Sequence, residues 1–157
     1  MNSAVETPPF YAGGKLGRHQ LEIAGELLEA LGEEGAIRVV LIHHPPLPDL
    51  APTKRALSDA AHLAHLLERG TAELVLYGHN HRTRIDWLPS RGNAIPVVGI
   101  GSASAAIAHG EEPMANYNLF TFFKNENGLR IRHIVRGIDD PESAVKKISE
   151  NVLKAPA

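Results

Sequence analysis

Apolar residues recur along this chain with two periods, and the change from one to the other predicts most of its elements. From about Gly17 to Leu31, Leu21, Ala24, Leu28 and Leu31 share one helical face, and Gly32 and Gly35 punctuate its end. Arg38 to Ile42 is apolar after the arginine and rich in β-branched residues, the pattern of a buried strand. His43-His44-Pro45-Pro46 halts it, because proline supplies no ladder donor. A second helix is expected from Ser58, a good N-cap with Asp59 behind it in the first turn. It would bury Leu63, Leu66 and Leu67 and stop at Gly70. Glu73 to Tyr77 reads as the next strand, closed by Gly78-His79-Asn80-His81. The texture then becomes strand-like throughout. Arg84–Leu88, Ile95–Ile100, Tyr117–Phe123 and Leu129–Val135 are separated by turn-rich pieces at Ser90–Asn93 and Asn125–Gly128. Pro141 to Leu153 is helix-compatible.

Helix, strand, helix, strand and then mostly antiparallel strands make an α/β chain. Neither a repeat nor a linker divides it, so residues 1–157 are expected to form one domain. Residues 1–15, rich in Pro, Gly and Ser, read as loop, and 137–157 as a C-terminal extension. The hydrophobic fraction of 43% is enough for a sizeable core. A formal net charge of −2, with acids and bases interspersed, offers no basic patch for nucleic acid. The start MNSAVETPPFYAGG has no basic or long apolar region of a signal peptide, and the longest apolar runs are too short to span a bilayer. A cytoplasmic protein is the resulting expectation. With no cysteine, any metal must be held by His, Asp, Glu or Asn, which draws attention to the nine histidines.

Four of the nine stand in two clusters, each directly after an expected strand. Two helix-connected strands run parallel, so both clusters would emerge at the carboxyl ends of neighbouring strands, where α/β sheets gather ligands. In Gly78-His79-Asn80-His81 the imidazoles are two residues apart. An extended segment would aim them to one side, and a tight turn would let them diverge. Imidazole is a borderline ligand suited to first-row transition ions. Taken singly, each histidine could as well be a hydrogen-bonded loop residue; the paired arrangement favours ligation. His62 and His65, three apart on the second helix, read as solvated or packed helix residues, and His19, His109 and His133 have no partner spacing.

VVLIHHPP followed by ELVLYGHNHR resembles the C-terminal motifs of the calcineurin-like metallophosphoesterases, in particular the bacterial branch with class III cyclic-nucleotide phosphodiesterases and glycerophosphodiesterases. The segments MNSAVETPPFYAGGKLGRHQ, KRALSDAAHLAHLL, PVVGIGSASA and YNLFTF extend the resemblance over roughly residues 1–136. It implies the C-terminal half of a β-sandwich flanked by helices. It also implies a two-metal centre of the Mn, Fe, Zn or Ni class and hydrolysis of a phosphate-ester substrate by metal-activated water. His43 and His79 would be ligands of one metal and His81 of the other. His44 and Asn80 would stand beside them, holding ligands or facing substrate.

The motifs Asp-x-His, Gly-Asp-x-x-Asp and Gly-Asn-His-Asp/Glu that the resemblance also requires do not occur in this chain. With them go the carboxylate bridging the metals, an Asn ligand and the His that protonates the leaving group. The chain is thus expected to be a C-terminal portion. Three imidazoles without a bridging carboxylate cannot offset the repulsion between two close divalent ions, so one weakly bound metal and little hydrolysis are expected. Self-association, or a separate N-terminal half, would cover the open sheet. The alternative is a non-catalytic metal-binding or interaction domain.

Overall fold

The computed structural model describes residues 1–110, 112–126 and 128–155. They form two compact units, residues 1–80 with 84–99 and residues 81–83 with 100–157. The class is mixed α/β, with two sheets and two α-helices among the described residues.

The first unit contains α1 (Arg18–Glu33), β1 (Val39–Ile42), α2 (Ala60–Glu68), β2 (Leu74–Tyr77), β3 (Arg84–Leu88) and β4 (Ile95–Gly99). Its sheet has the order β1-β2-β4-β3, parallel except for β3. The helix face expected from spacing is the one α1 buries, centred on Gly25 and Leu28. From α2, Leu63, Ala64 and Leu67 join Val40, Ile42, Val75, Tyr77 and Val97 in one core. β2 and β4 are buried almost throughout, as strands flanked on both sides should be.

β1 departs from its expectation. It alternates exposed and buried, with Leu41 60% exposed, because it is the edge strand and only its Val40–Ile42 face meets the core.

The two parallel strands are tied together where they begin. Arg38, one residue before β1, donates from Nη2 to Glu73 Oε1 at 2.6 Å and from Nε to Glu73 Oε2 at 3.1 Å. Glu73, one residue before β2, also accepts the Arg38 backbone N–H at 2.6 Å and donates its own to the Arg38 carbonyl. Nη1 reaches the Leu28 carbonyl of α1 and Nη2 the Gly70 carbonyl after α2. The Glu73 hydrogen bonds hold the Arg38 guanidinium above its ordinary value, against the opposing effect of burial.

Asp59 corrects another expectation. It is the N-cap residue of α2 but makes no side-chain cap there. Its buried carboxylate instead accepts the backbone N–H of Leu16 at 3.0 and 3.1 Å and of Gly17 at 2.8 Å, at the start of α1. A negative charge suits a helix N-terminus, and it serves donors that α1 cannot satisfy itself. Asp59→Ala strands two amides in a largely buried site and is expected to destabilise by about 1–3 kcal/mol. Urea unfolding of Asp59→Ala beside Asp59→Asn measures it, and the asparagine, still an acceptor, should recover much of the loss.

The second unit is a meander of β5 (Asn116–Asn125), β6 (Gly128–Gly137) and β7 (Lys146–Leu153), each antiparallel to the next. The β5–β6 turn expected at Asn125–Gly128 includes Asn127, which lies outside the described residues, as do the last two residues of the expected C-terminal extension. The helix expected over Pro141–Leu153 is corrected to a loop followed by β7. Pairing with β6, broken by one irregularity at Val135/Arg136, supplies ladder bonds that outweigh weak local helix preference.

His133 is buried in this sheet, 1% exposed. Its ring stacks on Phe120 at 4.6 Å, and Nε2–H donates to Asn118 Oδ1 at 2.6 Å. Burial pulls its pKa below the ordinary histidine value, so the fold holds the neutral ring. The stabilisation it brings is present above the unfolded value of about 6.5 and is lost as pH falls through the lower folded value. Urea midpoints are expected to fall between pH 7.5 and 5.5 in the parent, and His133→Gln should flatten that slope.

Candidate metal centre

The register of β1 on β2 builds this site. Val39 opposes Leu74 and Ile42 opposes Tyr77, so His43 and Gly78 leave the sheet level with one another. Gly78 N–H donates to the His43 carbonyl at 3.1 Å, one rung beyond the last strand pair. The chain then reverses sharply. Asn80 N–H returns to the Gly78 carbonyl at 2.8 Å, with His79 between them at φ 69°. A three-residue turn with positive φ at its centre is rare and strained, and His79 has a Cβ that resists this conformation. Such strain persists only where the surroundings over-determine it. Here Arg55 donates to the His79 carbonyl at 3.2 Å, and the Asn80 side-chain amide to the Leu50 carbonyl at 2.9 Å.

The turn delivers His79 Nδ1 to 3.1 Å from His43 Nε2. The His44 ring lies alongside, its centroid 5.0 Å from that of His43 and 4.7 Å from that of His79. Each of the three offers a ring nitrogen, and these nitrogens lie within 4.8 Å of one another. His43 is exposed and His44 buried, so the group opens to solvent on the His43 side.

His44 is held at both nitrogens. Nε2 lies 3.1 Å from the Ala12 carbonyl and Nδ1 2.8 Å from Ser3 Oγ. A carbonyl only accepts, so Nε2 carries the hydrogen and the Nδ1 lone pair accepts from the Ser3 hydroxyl. Burial lowers the pKa of His44; the bond to Ala12 opposes this and the neighbouring His43 adds to it. The ring is therefore a neutral imidazole with one lone pair, already in use.

Of the three ligands expected from sequence, the structure brings His43 and His79 together. His81 belongs to the second unit, where Nδ1 lies 3.2 Å from Glu112 Oε2. His44, expected to stand beside a ligand, is a member of the donor group itself. Asn80 steadies the turn through Leu50. His62 and His65 are exposed on α2. Sequence reasoning missed Ser3, because a serine in a Pro/Gly-rich segment carries no periodic signal.

No family model matches this chain, and no curated protein matches it. Among solved structures it is similar to one described as GAP50, the anchor in the inner membrane complex of Plasmodium, at 14% identity and a TM-score of 0.51. The match covers 92% of this chain and 49% of that one, so the chain spans about half its length. That likeness is one of fold.

The resemblance to the calcineurin-like metallophosphoesterases is corrected accordingly, and with it the description as a hydrolase or phosphodiesterase. A structure sharing this fold is described as an anchor, and no family model supports the assignment. The physical reason is that two short histidine motifs specify two strand exits and a turn. They do not specify the carboxylates on which the inferred chemistry depended. Among the described residues, no helix is long and apolar enough to cross a membrane.

Proposed function

We propose that this chain is a metal-binding domain in which His43 and His79, with His44 beside them, hold one transition-metal ion. The observation that carries this reading is the 3.1 Å separation of His43 Nε2 and His79 Nδ1. Two nitrogens bound at about 2.0–2.1 Å to one tetrahedral ion stand roughly 3.4 Å apart, so little movement is needed to share an ion. An all-imidazole donor set suits Zn, Ni, Fe or Cu and disfavours Mg or Ca. The group contains no carboxylate to bridge two ions, which favours a single one. A bound ion would act as a Lewis acid with coordination positions left to water on the exposed side.

Titration of the metal-stripped protein with Co²⁺, followed by its visible absorption, and with Zn²⁺ by calorimetry, tests the proposal. One equivalent is expected. No binding, or the same binding after His43→Ala and His79→Ala together, would overturn it.

A further inference from the structure

The His44 Nδ1 lone pair is engaged by the Ser3 hydroxyl. Ser3 is 1% exposed, and its Oγ both lies 2.8 Å from His44 Nδ1 and accepts the His44 backbone N–H at 3.5 Å. The same N-terminal segment also covers the rest of the ring. Ala12 supplies the carbonyl to Nε2. Gly14 packs so close that a Cβ there would meet His44 Nδ1 at 2.4 Å. The segment is closed on itself by Lys15 N–H to the Ser3 carbonyl at 3.1 Å and by a bridge between Ala4 and Gly14. It is fastened to the chain before α2 by Ala12 N–H to the Lys54 carbonyl and Gly14 N–H to the Ala56 carbonyl. Residues 1–15 are thus a loop latched on one imidazole of the donor group.

From this geometry we infer that His44 is an exchangeable ligand, and that metal binding and closure of the N-terminal loop compete for its Nδ1 lone pair. This inference rests on the metal-binding reading above. An ion held by His43 and His79 can recruit the neutral His44 only if Ser3 gives up its bond. No proton need leave, because the hydrogen is already on Nε2. Losing Ser3 removes one of the ties that close the loop. Linkage makes the effect reciprocal: what opens the loop favours the metal, and the metal favours the open loop.

Hydrogen exchange on the full chain, with and without saturating Zn²⁺, reads the loop directly. Zn²⁺ is expected to accelerate exchange of the Gly14 and Lys15 amides while leaving the β1 and β2 amides protected. Calorimetry reads the other side of the linkage. Ser3→Ala is expected to bind Zn²⁺ about fivefold more tightly, the worth of one ordinary neutral hydrogen bond. His44→Gln should bind at least tenfold more weakly and lose the exchange response. If Zn²⁺ binds but loop exchange is unchanged or slowed, the exchangeable-ligand inference is wrong and the metal site stands. It is equally wrong, with the metal site intact, if Ser3→Ala binds Zn²⁺ no more tightly than the parent. If Zn²⁺ does not bind at all, the metal-binding reading fails and the latch inference falls with it. The exchange comparison uses the parent chain alone and does not depend on either variant folding.

Discussion

Glu73→Ala is expected to lower the unfolding free energy by about 3 kcal/mol, the cost of leaving a mostly buried charge without its partner. The Arg38 and Glu73 side chains are only 13% and 24% exposed, so water cannot readily replace what either loses. The carboxylate accepts three hydrogen bonds from Arg38, two from the guanidinium and one from the backbone. Domains of this size are stable by about 5–15 kcal/mol, so the loss is a large fraction of the total. A melting-temperature drop of roughly 6–12 °C should accompany it. Glu73→Gln keeps an acceptor for the guanidinium and should cost clearly less. An alanine variant melting within a degree or two of the parent would show that the pair contributes little. A second effect follows from position. The pair sits where β1 and β2 begin, and the register it helps fix sets His43 level with Gly78 at the other end. Metal affinity should therefore weaken in Glu73→Ala although residue 73 touches none of the histidines.

The first unit was legible because its elements obey single rules. The α1 face follows from the spacing of Leu21, Ala24, Leu28 and Leu31, and parallel β1 and β2 follow from the helix that joins them. The misreadings share a cause, which is that neighbours in space decided against local pattern. Val39 and Leu41 are as apolar as any core residue, yet β1 lies at the sheet edge and one of its faces has no cover within the unit. Asp59 has the chemistry of a cap for its own helix but serves the start of another. Lys146–Leu153 has no strong strand alternation and becomes β7 because β6 offers an unpaired edge.

The candidate site was legible as two strand exits and no further. Parallel pairing could be inferred, and it is what brings His43 to His79. That both adjacent histidines, His43 and His44, join the group is a matter of local turn geometry. The left-handed conformation of His79 was not written in Gly78–His81. That turn aims His79 at His43, and the chain then passes His81 to the other unit. His44 gained its place from Ser3 and Ala12, which are distant in sequence and show no pattern of their own.

Loss of the imidazole at position 43 or 79 is expected to weaken Zn²⁺ binding by two orders of magnitude or more. Changing a residue that merely supports a ligand already costs about 10–100-fold, and removing a ligand should exceed that. His43→Ala is the cleaner of the two, because residue 43 carries no positive φ. At position 79 asparagine is the better choice. It tolerates the left-handed conformation, so the variant loses the ring without changing the demand on the backbone. The loss should also appear in stability. At a Zn²⁺ concentration of about 100 times the parent Kd, binding adds about 2.7 kcal/mol to the parent; a variant bound 100-fold more weakly gains only about 0.4 kcal/mol. The Zn²⁺-induced rise in melting temperature, roughly 5–11 °C for the parent, should nearly vanish in both variants. His62→Ala, on the exposed face of α2, controls for nonspecific histidine binding and should keep the full rise. An equal rise in all four proteins would place the metal somewhere other than at the ends of β1 and β2.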